Sequence, residues 1–237
     1  MSQTPAIGWY GKLPSAGDFL KRRFPEMLWQ QWTQWFQVGL MNWQKNDQQR
    51  PQGERQFGNA PVWNFVVPPM LGSQLVQMGC LLPACDNVGR QYPVCALVTF
   101  SPQNWSQPRL AMAGEWYQQL GRGLLHAVRN HYSAEQLDQM LLSMTLPPPA
   151  PPQDTKSDIL DVIGHGDRPG NLSWRQVADC FDPQQYTSFW WTNQTDGYPL
   201  YTHVHSGNFT GQLFSMLFDP AAGSKPGRHG LYPPMFE

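Results

Sequence analysis

The sequence is short of charge and contains no long apolar run. Charged residues make up 14% of the chain, 16 Lys and Arg nearly balance 17 Asp and Glu, and the net charge is −1. Proteins that bind nucleic-acid phosphates usually carry a basic excess or stripe, so this balance argues against a nucleic-acid partner. No segment approaches the roughly 18 apolar residues that cross a bilayer, and the N-terminus shows no signal-peptide pattern. We therefore expect a cytoplasmic protein with no membrane-inserted segment.

The usual motifs of metal, nucleotide and hydrolase sites are also missing. The four cysteines include no C-x-x-C pair, which argues against a zinc ribbon or a disulfide scaffold and is typical of reduced thiols. The glycines of GKLPSAGD match neither common phosphate-binding motif. The sequence also contains no G-x-S-x-G nucleophile elbow. It thus predicts no metal, no cofactor and no catalytic site.

Three weaker candidates for chemistry remain. His203 and His205 could ligate a metal from one face of an extended strand, but a catalytic zinc normally needs a third protein ligand. His165 and Asp167 lie in the glycine-rich segment GHGDRPG, and Cys85 precedes a polar turn. Turn and edge-strand roles are the more common explanation for such residues. A small cytosolic hydrolase that uses Cys85 or the His165–Asp167 pair nevertheless stays open as an alternative.

Aromatic residues, by contrast, are abundant, and the chain has 11 Trp. Large rings dominate burial and interface energetics, so these residues must fill a core or face a partner. After Pro25, apolar residues recur with helical spacing from Leu28 to Trp43 and predict an amphipathic helix. Strand-like runs follow at residues 62–67, 75–82 and 92–100. The connections between them are too short for parallel crossovers, so we expect an antiparallel meander.

The remaining chain is divided by a proline-rich segment. Residues 147–158 cannot join a helix interior or a central strand, and we interpret them as an exposed loop, with an interdomain linker as the alternative. A Ser133–Gln136 capping box marks one helix start. The other elements are predicted from the same periodicities: helices near residues 116–128, 137–144, 174–181 and 209–217, a short strand within residues 6–12, and a strand at residues 187–192.

The predicted architecture is one α+β domain over residues 1–237. Its main layer is an antiparallel sheet, a meander of about five strands, with helices packed on the faces of the sheet. The C-terminal part has too few strands for an independent core, so we expect it to complete the layers that the N-terminal part begins. Residues 219–237 form a Pro/Gly-rich tail in this interpretation.

Two polar, glycine-rich turns have the most distinctive composition. The first is part of GWYGKLPSAGDFLKRRFP at residues 8–25, and the second is part of ACDNVGRQYP at residues 84–93. Asp18 could cap a single helical turn. Arg90 could pair with Asp18 or Asp86 and join the two turns, or it could present its guanidinium to a carboxylate or phosphate of a partner. Both interpretations of Arg90 remain open at the level of sequence.

Several short segments occur in order along the chain: YGKLPS at 10–15, GDF at 17–19, Arg22–Arg23, APVW at 60–63, Asp86-x-Val88-Gly89-Arg90 with Pro93, and SFWW at 188–191. Together these segments resemble the TagF family, also called ImpM. The chain departs from the common family pattern at Phe189, where Leu is usual, and at Ala84–Asn87, where the family commonly has Ser-Val-Asp-Arg. The resemblance implies an accessory protein of the bacterial type VI secretion system. It further implies a post-translational repressor of secretion, acting beside a threonine kinase–phosphatase pathway, with a forkhead-associated scaffold protein as partner.

We therefore expect a binding protein rather than an enzyme, with a structural component of the secretion apparatus as a further alternative. The two turns should lie close in space and form or support the contact surface. Trp190 and Trp191 are candidate anchors because Trp is frequent among interface hot spots. Adjacent strand residues point to opposite faces, so at least one of the two should pack in the core. The candidate partner-binding residues are Lys12, Ser15, Asp18, Arg22, Arg23, Asp86, Arg90, Trp190 and Trp191.

Overall fold

A seven-stranded sheet forms the centre of the computed structural model, which describes residues 5–47, 57–69, 73–149, 174–192 and 202–218. The strands lie in the order β2-β1-β5-β4-β3-β6-β7, and all neighbouring pairs are antiparallel. Their bounds are Gly8–Gly11 (β1), Leu20–Arg22 (β2), Trp63–Val67 (β3), Val76–Cys85 (β4), Gln91–Phe100 (β5), Thr187–Thr192 (β6) and Thr202–Ser206 (β7). The predicted α+β class is confirmed, whereas the predicted number of about five strands is wrong.

The predicted meander forms the middle of the sheet. β4 pairs with β5 along its full length, from Val76 opposite Phe100 to Cys85 opposite Gln91, and β3 pairs with the first half of β4. Successive residues alternate between the two faces of a strand. Cys80 therefore packs into one hydrophobic cluster, while the next residue, Leu81, packs into the other.

The sheet is buried on both faces because helices cover each of them. One face carries α1 (Glu26–Asp47), α6 (Gly211–Phe218) and a short 3₁₀ turn (Phe57–Asn59). The opposite face carries α2 (Gln107–Ala111), α3 (Gly114–Arg129), α4 (Ala134–Leu142) and α5 (Trp174–Cys180). Two-sided burial explains why β3, β4 and β5 are almost continuously apolar.

Tryptophan residues pack mainly inside these layers. Trp32 on α1 is fully buried, lies 5.0 Å from the ring of Phe65 and donates an indole hydrogen bond of 2.9 Å to Gln77. Trp63 donates to the backbone carbonyl of Leu217, which links β3 to α6. The abundance of aromatic residues is therefore explained to a large extent by the core between α1, α6 and the sheet.

The two strands missing from the sequence-based prediction are the outermost strands of the described sheet. β2 has only three residues, and its sequence, Leu20-Lys21-Arg22, has no apolar alternation that would indicate a strand. β7 pairs with β6 and places Val204 in the core. The last helix begins at Gly211, so Phe209, which was predicted to lie within it, precedes it.

Several predicted features lie outside the described residues. They are the proline-rich segment beyond residue 149, the His165–Asp167 pair and the tail at 219–237. Within the described ranges, none of the helices combines the length and the apolar character that a membrane crossing requires.

Candidate partner-binding surface

The two glycine-rich turns are in direct contact. The backbone N–H of Asn87 donates a hydrogen bond of 2.9 Å to the carbonyl oxygen of Ala16, and Arg90 Nη2 donates one of 2.8 Å to the carbonyl oxygen of Gly17. The contact follows from the sheet, because β1 pairs with β5 and carries the first turn to the end of β4. We call residues 15–19 and 87–91 the corner surface; all of them except Ala16 are exposed.

A buried ion pair lies beneath the corner surface. Lys12 Nζ is 2.8 Å from Asp86 Oδ2, and the two side chains are 7% and 0% exposed. Arg90 Nε donates to the same oxygen at 2.7 Å, while the backbone N–H groups of Val88 and Arg90 donate to Oδ1. Burial alone would raise the pKa of Asp86, but the hydrogen bonds from Lys12 and Arg90 outweigh it and hold the pKa well below its usual range. Asp86 therefore stays ionised and fixes the second turn.

Arg90 connects this buried pair to solvent. Its Nε and Nη2 atoms make the bonds to Asp86 and Gly17, yet its side chain is 64% exposed. A guanidinium has five N–H donors, so these two bonds leave donors available at its exposed edge. One carboxylate, Asp86, faces two cations, Lys12 and Arg90, and the group has a net positive charge.

Phe19 adds an apolar ring to the corner surface. Its ring is 4.7 Å from that of Tyr92 in an edge-to-face arrangement, and Lys12 Nζ is 4.9 Å from its centroid. Phe19 is nevertheless 46% exposed, and Val88 in the second turn is 70% exposed. Sequence analysis did not select these two residues, although an apolar side chain within a polar turn is a signal that could have found them.

Below Phe19, two tyrosines form a buried polar contact. The hydroxyl groups of Tyr10 and Tyr92 are 2.7 Å apart. Burial raises the pKa of both phenols, and the pKa of Tyr92 is raised further because its hydroxyl donates to that of Tyr10. The pair stays neutral at physiological pH, so it supports the base of Phe19 without adding charge.

Ser15 and Asp18 belong to the corner surface but take different roles. Ser15 Oγ donates a hydrogen bond of 2.6 Å to the carbonyl oxygen of Tyr132, which ties the first turn to the segment before α4. Asp18 does not cap a helix as predicted, since its carboxylate accepts from the N–H of the next residue, Phe19, before β2 begins. Asp18 thus leaves most of its carboxylate to solvent.

Arg22 and Arg23 point away from this site. Arg23 makes a two-pronged ion pair with Asp138 on α4, at 2.9 and 2.6 Å, and Trp9 Nε1 donates to the same carboxylate. The bond from Arg23 lowers the pKa of Asp138. Arg22 is exposed and donates to the carbonyl oxygen of Lys21. The Arg23–Asp138 pair joins the end of β2 to α4, whereas the bond of Arg22 stays within β2, so the described bonds of both arginines lie outside the corner surface.

Trp190 and Trp191 are both in the core, which corrects their selection as exposed anchors. Trp190 is 0% exposed and packs against Phe65 on the α1 face, and Trp191 is 2% exposed and packs against Tyr117 on the α3 face. The expected alternation between faces is present, but helices cover both faces. Neither indole therefore offers an appreciable exposed area to a partner.

The alternative chemical candidates have ordinary structural positions. Cys85 is half-buried at the end of β4, opposite Gln91. His203 is buried on β7, and His205 Nε2 lies 2.7 Å from the carbonyl oxygen of Asn208. In the described part of the chain, no group of three or more His, Cys, Asp or Glu side chains is arranged to hold a metal ion.

Comparison with known proteins assigns this chain to a family. The family model described as the TagF N-terminal domain, type VI secretion system-associated, matches residues 8–144. The chain belongs to this family. The matched TagF_N region includes both turns of the corner surface and the strands that bring them together.

A solved structure has the same fold over nearly the whole chain. The PA0076 protein of Pseudomonas aeruginosa PAO1 superposes with a TM-score of 0.67 at 19% sequence identity, covering 94% of this chain and 98% of that one. The likeness therefore extends beyond residue 144, into the part of the chain that follows the TagF_N region. None of the curated proteins matches the chain by sequence.

Proposed function

We propose that this TagF-family protein is a non-enzymatic cytoplasmic repressor of type VI secretion, which binds a forkhead-associated scaffold protein through the corner surface. Membership of a secretion-associated family supports the cellular context. The scaffold partner and the repressor role come from the family resemblance. The mechanism is sequestration: the protein occupies a surface of the scaffold that the secretion machine needs for assembly.

The observation that supports the location of the site is the contact between the two turns. Phe19 and Val88 supply exposed apolar area, while Asp18 and Arg90 supply charges of opposite sign at its edge. Interface hot spots commonly combine a desolvated apolar centre with Arg or aromatic residues. The corner surface has this composition on a small, continuous area.

The buried ion pair makes the surface rigid before a partner arrives. Asp86 fixes the second turn through Lys12 and Arg90, and Arg90 in turn holds Gly17 of the first turn. Association costs free energy when side chains and loops must be ordered. A surface that is already ordered avoids part of this cost, so we expect Lys12 and Asp86 to support binding without touching the partner.

Charge and bulk changes at two exposed positions test the site. Val88→Glu and Asp18→Lys alter side chains that make no cross-link between the turns, and each should weaken binding of the purified scaffold by about tenfold or more. Leu142→Glu is the matched control, because Leu142 is 54% exposed on α4. The readouts are dissociation constants and, for each variant, thermal melting temperatures.

Together, the affinities and melting temperatures distinguish residues that contact the partner from residues that only stabilise the fold. Weaker binding with an unchanged melting temperature supports a contact role for Val88 and Asp18. Affinities within about twofold of wild type for both variants would exclude the corner surface as the contact. Arg90→Glu is expected to lower affinity and melting temperature together, because Arg90 also joins the two turns.

A genetic measurement tests the repressor role independently. Deleting the gene should increase secretion by the type VI system if the protein is a repressor. Decreased secretion would instead identify a structural component of the apparatus, which is the alternative left open by the sequence.

A further inference from the structure

A second surface lies on the outer face of α1. We define this outer face by the residues Met27, Gln30, Gln34, Val38, Met41 and Lys45, which are all exposed. Their spacings of three and four residues place them on one side of the helix. Met27, Val38 and Met41 are 69%, 45% and 54% exposed, so the face presents several large apolar side chains to solvent.

The outer face has no charge between its two ends. From Met27 to Gln44 the helix contains no Asp, Glu, Lys or Arg, while Glu26 lies in the first turn and Lys45 in the last. A solvated helix face normally carries charged residues. Depletion of charge together with enrichment of Met is instead a property of interface centres.

A groove beside the middle of this face provides depth. It lies between α1 and the segment before α6, has a volume of about 410 Å³, and is lined in part by Trp35, Val38 and Phe209. Trp35 and Phe209 have ring centroids 4.6 Å apart. Large apolar walls and flanking glutamine and asparagine side chains suit an apolar side chain from another helix.

We propose that the outer face of α1 binds the same face of a second copy of this chain, with the two helices antiparallel. Glu26 and Lys45 lie at opposite ends of the helix, so an antiparallel copy brings Glu26 of each chain close to Lys45 of the other. The midpoint of the face lies between Gln34 and Val38, next to the groove, and a two-fold axis passes there. Isologous contacts of this kind are the commonest in homo-oligomers.

The antiparallel arrangement agrees with the positions of the charged residues and with the length of the helix between them. Glu26 accepts a bond of 2.7 Å from Lys21 but its side chain remains 62% exposed, so it can receive a second donor. The distance from Glu26 to Lys45 along the helix axis is about 28 Å, from a rise of 1.5 Å per residue. A parallel copy would instead place like charges together at both ends.

The size of this interface predicts a reversible dimer. One helix pair with its flanking groove lies toward the lower end of the interface areas of stable complexes, about 1,200–2,000 Å². We therefore expect dissociation in the micromolar range. The outer face and the corner surface share no residue.

Sedimentation velocity over a concentration series tests the proposal with the full chain. Wild type should shift from monomer to dimer before about 200 μM. Val38→Glu places two like charges within about one and a half helical turns of each other across the axis, and should weaken the dimer by about 30-fold or more. Leu142→Glu is the control, since it adds the same charge at an exposed leucine on the opposite layer.

A charge exchange makes the test specific for the antiparallel arrangement. Lys45→Glu alone should weaken the dimer, and adding Glu26→Lys should restore it. A monomer throughout the series would overturn the proposal. So would a dimer that Val38→Glu leaves intact, a dimer that Leu142→Glu dissociates equally, or a double variant without recovery. Scaffold affinity, measured in parallel, reports on the proposed function and not on this interface.

Discussion

Mild acid is predicted to destabilise the fold through one buried histidine. His203 on β7 lies opposite Trp190 in the cross-strand register and is 8% exposed. Burial and, to a smaller extent, the neighbouring His205, whose ring centroid is 6.4 Å away, together lower the pKa of His203 to about 4. The imidazole is therefore neutral in the folded chain at physiological pH.

The sign and size of the effect follow from linkage. The pKa of histidine in the unfolded chain is about 6.5, so between about pH 6.5 and pH 4 the unfolded state binds more protons than the folded state. The free energy of unfolding keeps its full contribution from His203 above the unfolded pKa of about 6.5, and it falls as the pH decreases from there to about 4. Between about pH 7.5 and pH 5 the loss due to His203 amounts to about 2 kcal/mol.

Urea unfolding at a series of pH values measures this loss. The His203→Gln variant removes the titrating group, so the difference in unfolding free energy between about pH 7.5 and pH 5 should shrink by about 2 kcal/mol relative to wild type. Any constant cost of the substitution cancels in this difference. His126→Gln on the exposed side of α3 is the matched control for the substitution itself.

Two outcomes would refute the reasoning. The first is an unchanged pH dependence in His203→Gln. The second is an NMR titration in which the His203 ring protonates near the ordinary value of about 6.5. Asp86 and Asp138 cannot account for the predicted loss, because a carboxyl group with a lowered folded pKa loses its stabilising effect only as the pH falls through the unfolded value of about 4 and below.

Three further predictions concern packing and local backbone, and chemical denaturation measures each of them as a change in unfolding free energy. Gly79→Ala should cost about 3 kcal/mol or more, because an added Cβ would collide with the carbonyl oxygen of Ala96 on β5. Gly89→Ala should cost only about 1–2 kcal/mol, because a Cβ there would enter open space and only the backbone φ of +82° is unfavourable for alanine. Equal costs for the two would contradict this difference in cause. Ser133→Ala should cost about 1 kcal/mol, because it removes the capping box of α4, and a neutral result would show that Gln136 and solvent compensate. Trp190→Ala should lower the free energy of unfolding by about 3–5 kcal/mol. A small loss of stability together with loss of scaffold binding would instead indicate that Trp190 contacts the partner.

Much of the local structure could be predicted from the sequence because it depends on periodicity. The apolar spacing from Leu28 to Trp43 predicted α1, and the short connections predicted the β3–β4–β5 meander. The Ser133–Gln136 capping box forms as predicted. In each case neighbours along the chain determine the structure, so a local pattern is sufficient.

Long-range pairing could not be predicted in the same way. β6 pairs with β3, with Trp63 opposite Thr192, and no local pattern in either strand predicts that the other is its partner. The burial of both Trp190 and Trp191 depends on helices covering each face, which is a property of the whole fold. β2 was missed because its pairing with β1 follows from the first turn and its own residues give no apolar alternation.

The candidate site shows how fold and function can share the same residues. Gly11 has φ of +142°, and a side chain there would collide with Pro93 in β5, so this glycine is needed for the sheet. Lys12, Asp86 and Arg90 likewise join the two turns by bonds within the chain. These residues would be required even if no partner existed, and their loss cannot by itself reveal binding. Asp18 and Val88 make no such cross-link, so variants at these two positions are the ones that can separate a contact surface from a structural corner.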